Sequence, residues 1–457
     1  MEHTRTEYDS LGPVEVPAAH KWGAQTQRSL DNFPVGTEKM PREIVRAFAC
    51  LKRAAARVNA RLQPEKMTAE KCGLITRVCE EILADGLPEE FPLSVWQTGS
   101  GTQTNMNVNE VIAHRGNEAA GRVLLHPNDD VNLSQSSNDT FPTALYVAAA
   151  TAIKNDLLPA VGRMIVTLKR LEDENEGILT VGRTHLQDAV PIAFSQEIRG
   201  WRGMLEAGRE QLEAALPRLC RIAVGATAVG TGLNAPEGFG DGVAALLSEE
   251  LGLPFVSSPN KFHALTSADA LVFAHGAVKA LACDMMKIAN DVRWLASGPR
   301  AGLNEITIPA NEPGSSIMPG KVNPTQCESV TMVAVQIMGN DAAIGIAASQ
   351  GNFQLNVFWP VMAYNFLQSA RLLSDSIRSF EARCVGGIRP NADVMRRNVE
   401  RSLMLVTALS PTIGYDKAAA VAKKAFADGS SLKEACTALG YLTADAFDAI
   451  CRPDGMV

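Results

Sequence analysis

Apolar residues recur at helical spacing through most of this chain, and four polar islands interrupt them. After Pro142 the apolar positions run Leu145, Ala149, Ile153, Leu157, Val161, Met164, Leu168 and Leu171. Steps of three and four predict one face of a long helix. Residues 189–217 continue helical. Between 268 and 297, Val278, Leu281, Met285, Ile288, Val292 and Leu295 alternate steps of three and four, the seam of a helix bundle. Residues 325–350 and 358–382 give two more helices, and 41–85 reads as helical upstream. Residues 1–40, rich in Pro, Gly and polar side chains, predict an arm with little regular structure. A break near GGIRPNA (386–392) precedes a small helical tail. Strand signals are scarce.

The expectation is an all-α protein with three parts. Residues 1–137 form a mixed helical and loop domain, 138–390 a central bundle of about five long helices, and 391–457 a small helical domain. Several of the long helices are apolar over more than one face. Such helices are buried on several sides, by flanking domains or by association through the bundle.

Composition narrows the partners. A net charge of −7 argues against nucleic acid or an anionic membrane as the main partner. No apolar run reads as a membrane span, and the first residues carry no apolar leader segment, so a cytoplasmic protein is expected. The nine cysteines form no CxxC pair, and neither an HExxH nor a Cys/His cluster occurs. No metal and no cofactor is therefore expected.

The polar islands are the candidates for chemistry. They are Gly99–Asn105, His126–Asn138, Gly182–Asp188 and Gly314–Pro324. Each is dense in hydroxyl and amide donors and poor in carboxylates, apart from Asp129 and Asp130. Converging donors of that kind suit a carboxylate ligand, although any one island alone is equally a capped turn. The last island, GSSIMPGKVNP, is too rich in Gly and Pro for helix or strand. It is not a phosphate-binding P-loop: five residues separate Gly314 from Gly320, and Val322 stands where a hydroxyl should be. Ser315 with Lys321 nearby could become a base if loop N–H groups hold its alkoxide. His185 suits acid–base work near neutral pH. Glu328, at the start of the next helix, reads either as a solvated carboxylate or as a partner orienting His185.

These residues carry a resemblance. GSSIMPGKVNP looks like the signature of the fumarase/aspartase superfamily. Within it, the chain resembles class II fumarases through Thr98–Asn107, Thr184-His185-Leu186-Gln187-Asp188, Asn311-Glu312-Pro313 and Thr325-Gln326-Cys327-Glu328. Relatives that act as aspartate ammonia-lyases tend to have Gln where His185 stands. Gly302-Leu303-Asn304 departs slightly, since many fumarases have Gly at the position of Asn304. The resemblance runs from Tyr8 to Pro453.

It implies cofactor-free, reversible hydration of fumarate to (S)-malate in the citric acid cycle, with aspartate ammonia-lyase as the alternative. It also implies a homotetramer with active sites shared by three subunits. Ser315 would be the base at C3. Lys321 and Asn323 would bind the carboxylate that takes up charge in an aci-carboxylate intermediate. His185, polarised by Glu328, would handle the proton of the departing hydroxyl. Ser100, Gly101, Thr102, Ser136, Ser137, Asn138, Thr184, Ser316 and Val322 would complete the substrate pocket. His126, Pro127, Asn128 and Asp129 would correspond to a second, non-catalytic dicarboxylate site.

Overall fold

A computed structural model describes residues 3–457, and their architecture is all-α. The N-terminal third begins with β1 (Thr4–Asp9) and β2 (Gly12–Pro17), then α1 (Ala24–Asn32), α2 (Arg42–Leu62), α3 (Ala69–Leu83) and α4 (Thr102–Ala120). The middle holds α5 (Ser137–Ala152), α6 (Leu158–Glu174), β3 (Leu179–Thr184), β4 (Gln187–Ala193), α7 (Phe194–Leu219), α8 (Phe239–Leu251), α9 (Lys261–Thr266) and α10 (Asp269–Leu295). Then come α11 (Thr325–Ser349) and α12 (Trp359–Arg383), followed by short helices between 392 and 450. The chain folds as two compact, discontinuous units. One runs to Pro159 and takes in Gly208–Ala282 and Val335–Ser374; the other comprises Ala160–Ala207, Cys283–Ala334 and Asp375–Val457.

The apolar stripe of the α5–α6 segment is buried at all eight positions. Steps of four overshoot an ideal helix by about 40° each, so a straight helix would turn part of the stripe outward. A π-helical turn at Ile153–Leu157 joins α5 to α6 and takes up that drift. In α10, Val278, Leu281, Met285, Ile288 and Val292 are buried as the seam requires.

Three expectations are corrected. The N-terminal arm has regular structure: β1 and β2 form an antiparallel hairpin, from Thr4 opposite Pro17 to Asp9 opposite Gly12. Its strands alternate between exposed and half-buried positions apart from Val16, which is fully buried, so hydrophobicity hardly marks them. Arg5 ties the hairpin down, donating to the carbonyls of Pro17, His20 and Trp22. Residues 189–193 are strand rather than helix, the second arm of a β3–β4 hairpin. Finally, α11 is as long and apolar as a membrane span. Its Asn340 and Asp341 bond to groups on α10 and α12, which ties it to both helices.

That network centres on His275, fully buried on α10. Its Nδ1 lies 2.9 Å from Asp341 Oδ1 and its Nε2 2.9 Å from Ser369 Oγ. Asn340 Nδ2 donates to the same Ser369 oxygen at 3.0 Å. Burial lowers the His275 pKa, with the Asp341 carboxylate opposing.

Candidate active site

The signature loop is tied at its neck. Gly314 N–H donates to Lys321 O at 2.9 Å, and Asn323 Nδ2 donates to Gly314 O at 2.5 Å. A Cβ on Gly314 would lie 2.4 Å from Lys321 O and 2.8 Å from Asn323 N, both backbone atoms, so only glycine fits. At the tip, Ile317 N–H and Met318 N–H donate to Ser315 Oγ at 3.3 and 3.0 Å. Two amide dipoles thus converge on the hydroxyl oxygen, an arrangement that favours negative charge there. Lys321 is exposed and makes no ion pair among the described residues. Ser316 and Val322 are exposed on the same loop. Asn323 therefore has a structural duty besides the role implied for it.

His185 and Leu186 are the two central residues of the β3–β4 hairpin. Their φ angles are 57° and 61°, a left-handed pair of the kind that Asn-Gly normally supplies. Left-handed backbone costs non-glycine residues about 1–2 kcal/mol each, and such strain concentrates at functional positions. Beneath the turn, Arg183 pairs with the fully buried Glu305, Nη1 to Oε2 at 2.9 Å and Nη2 to Oε1 at 2.6 Å. Asn398 adds a third donor to Glu305 at 2.9 Å. Removing one partner of such a buried pair costs about 3–5 kcal/mol, so the turn stands on a stiff base. Thr184, His185 and Glu328 are exposed, with Glu328 in the first turn of α11. No hydrogen bond joins Glu328 to His185 among the described residues of the chain.

The first two islands lie in the other unit. Gly101 caps α4 in the left-handed region (φ 74°), where a Cβ would strike the Phe141 ring at 2.1 Å. Ser100 Oγ and Thr102 Oγ1 are 2.9 Å apart. Ser136 caps α5 in a capping box with Asp139. Asp139 is fully buried and accepts N–H bonds from Ser136, Gly225 and Thr227 at 3.0, 3.1 and 2.8 Å. Burial pushes its pKa up to about 6. Asn138 Nδ2 holds Ala228 O at 2.8 Å. Thr102, Ser136 and Ser137 line one cavity of about 400 Å³, with Asn128, Asn132, Gln135 and Thr227. No carboxylate among the described residues lines it.

His126 caps a π-helical turn, its Nδ1 accepting from Asn128 N and Asp129 N at 3.3 and 3.2 Å. His126, Pro127 and Asn128 line a second cavity of about 700 Å³ that also takes in Glu7, Asp9 and Glu110. Glu110 is spoken for, because both its oxygens accept bonds from Gly23, Gln25 and Thr26 at the start of α1.

The supports were not foreseen: Lys52, Glu110, Asp139 and the Arg183–Glu305 pair. Lys52 did leave a trace. It falls four residues after Phe48 on the apolar stripe of α2, where a solvated lysine has no place.

Helical architecture and the loop together define a lyase. A family model described as lyase matches residues 12–339, and one described as fumarase C C-terminus matches 405–457. The chain belongs to the class II fumarate hydratase family. It is 57% identical to the class II fumarate hydratase of Ralstonia nicotianae, over 99% of both chains. It is 55% identical to that of Bacillus subtilis, over 100% of this chain and 99% of the relative. Among solved structures, class II fumarase from Schistosoma mansoni superposes with a TM-score of 0.97 at 42% identity, over 99% of each chain. A fumarate lyase:delta crystallin from Brucella melitensis gives 0.93 at 39%, again over 99% of each.

Proposed function

We infer that the chain is a hydro-lyase catalysing the reversible hydration of fumarate to (S)-malate, with Ser315 as the base that removes the C3 proton. The observation that carries the role of Ser315 is the pair of loop N–H groups aimed at its Oγ. Hydrogen bonds to a charged oxygen contribute about 1.5–3 kcal/mol each. A cation at about 4 Å contributes roughly 4 kcal/mol at an effective dielectric of ~20. With Lys321 in that place, the loop would offset on the order of 7–10 kcal/mol of the cost of an alkoxide, equivalent to several pK units. Lys321, with the second N–H of Asn323, would also meet the charge that the substrate carboxylate takes up as the aci-carboxylate forms. His185 would move the proton of the leaving hydroxyl, through a water, with Glu328 orienting it.

Ser100, Gly101, Thr102, Ser136, Ser137, Asn138 and Thr184 would hold the two carboxylates, with Ser316 and Val322 contributing from the loop. The lack of any carboxylate in the lining of the 400 Å³ cavity supports a dianionic ligand there. His126–Asp129 would form a weaker second dicarboxylate site, weakened by Glu7 and Asp9 in the same cavity.

Among the described residues no hydrogen bond joins Glu328 to His185, and α11 leaves Met332, Val335 and Ile346 more than 60% exposed. Both features support a homotetramer whose sites draw on three subunits. A cytoplasmic setting, the citric acid cycle step and the absence of any cofactor belong to the same reading. Identity of more than half over whole chains favours it over aspartate ammonia-lyase.

The test is loss of fumarate absorbance with and without ammonium, for wild type, Ser315→Ala and His185→Asn. Wild type should yield malate without ammonium, and Ser315→Ala should fall by orders of magnitude with its fold intact. Mixed tetramers of the two inactive variants should regain activity. Near-native turnover in Ser315→Ala would remove it as the base, and consumption only with ammonium would overturn the hydratase.

A further inference from the structure

A buried lysine stands behind the hydroxyl-lined cavity. Lys52, on α2, has no exposed surface. Its Nζ donates to Asn132 Oδ1 at 3.0 Å and to Gln135 Oε1 at 2.9 Å. Both amides turn their oxygens towards it, because their NH2 ends donate to backbone carbonyls, Asn132 to Gln135 O and Gln135 to Val131 O and Leu133 O. Asn132 Oδ1 also accepts from Asn105 Nδ2 at 3.1 Å and from Asn109 Nδ2 at 3.2 Å. That fixes which end of Asn105 is its NH2. The same Nδ2 reaches Ser137 Oγ at 3.0 Å. Ser137 receives that bond, which leaves its own proton free to donate into the cavity it lines with Thr102 and Ser136. No carboxylate hydrogen-bonds to Lys52 among the described residues. Asp139, the carboxylate whose field it feels, is held by three backbone N–H groups.

We propose that Lys52 is a positioning residue for the dicarboxylate pocket: through Asn132 and Asn105 it anchors a hydrogen-bond relay that presents Ser137 O–H as a donor to a substrate carboxylate. The proposal rests on reading Thr102, Ser136 and Ser137 as carboxylate-binding groups. The relay does not depend on the protonation of Lys52, since a neutral amine keeps two N–H groups for the same two oxygens. Without Lys52, Asn132 Oδ1 and Gln135 Oε1 lose their shared buried donor, and the bonds from their own NH2 groups to Gln135 O, Val131 O and Leu133 O are left to hold the two amides in place. Asn132 can then shift away from Asn105, which weakens the bond that holds the Asn105 NH2 on Ser137 and frees the hydroxyl proton to turn away from the ligand. The cost falls on binding at a carboxylate remote from bond breaking, so it should appear in KM rather than kcat.

The experiment measures kcat and KM for fumarate, and the dissociation constant of succinate by calorimetry, in Lys52→Met, Ser137→Ala and the double variant. Lys52→Met should raise KM and the succinate constant about tenfold, with kcat within about threefold of wild type. The double variant should be no worse than Ser137→Ala alone. Unchanged KM in Lys52→Met, or independent multiplication of the two effects, would overturn the relay. Should Lys52→Met fail to fold, Asn105→Ala breaks the relay without touching the buried amine, and the same shift in both constants is expected. If Asn105→Ala binds succinate like wild type, the relay is likewise refuted. A wild-type protein that neither hydrates fumarate nor binds succinate would overturn the functional reading and this proposal with it. Normal wild-type turnover with an unaffected Lys52→Met would overturn the relay alone.

Discussion

Gly314→Ala is the sharpest local perturbation of the loop. The added methyl would sit 2.4 Å from Lys321 O, where ordinary contact begins near 3.4 Å, so the loop neck must open by about 1 Å. Opening it breaks the Gly314–Lys321 and Asn323–Gly314 hydrogen bonds, worth about 1 kcal/mol each. Because the loop is mostly exposed, that loss should stay local and barely move the thermal midpoint. Ser315 and Lys321 flank the neck, and a 1 Å misplacement of reacting groups can cost about 10²-fold. We therefore expect kcat/KM for fumarate to fall roughly a hundredfold in a folded protein. Gly320→Ala is the control. Gly320 has a φ of 82°, and a methyl group added there would meet nothing within 4 Å, so only backbone strain is added and the loss should stay below about tenfold. The assay is steady-state kinetics beside thermal unfolding of both variants. Gly314→Ala within threefold of wild type, or both variants equally damaged, would refute the view that the neck positions Ser315.

Two further outcomes are expected. Replacing His185-Leu186 by Asn-Gly should raise stability by about 1–3 kcal/mol in urea unfolding while abolishing turnover; a destabilised hairpin would show that the turn stores no strain. Lys52, lowered by burial from 10.5 to about 7, binds a proton in the unfolded chain that it lacks when folded between those values. Stability should therefore rise with pH from 7 to 8.5, by up to about 1.4 kcal/mol per unit, and Lys52→Met should lose that slope; identical slopes would remove Lys52 as its source.

The long helices could be read from the sequence because burial repeats itself: eight positions from Leu145 to Leu171 gave the same signal, and all eight are buried. The loop could be read because Gly, Pro and polar residues exclude regular structure over 314–324. The N-terminal hairpin could not, since Val16 is the one fully buried residue of its two strands, and the left-handed His185-Leu186 turn lacks the Gly or Asn that advertises one. The site supports were hidden for a related reason. Glu305 and Arg183 lie 122 residues apart, and a buried carboxylate looks like a solvated one until its partner is found. Lys52 alone broke a local rule, a charge on an apolar stripe.

His275, Asp341 and Ser369 stand in the order in which a hydrolase activates a nucleophile, at comparable distances. Here neither the imidazole nor the hydroxyl retains any surface, so no carbonyl can approach, and the same connectivity serves as a latch across three helices. A latch of this kind has spare partners on two sides and none at its centre. Without His275, Asp341 keeps Lys279 and Ser369 keeps Asn340 and Asn365. Without Asp341 or Ser369, the buried imidazole loses one of its two hydrogen-bond partners, so the helices depend most on the two ends of the latch staying polar.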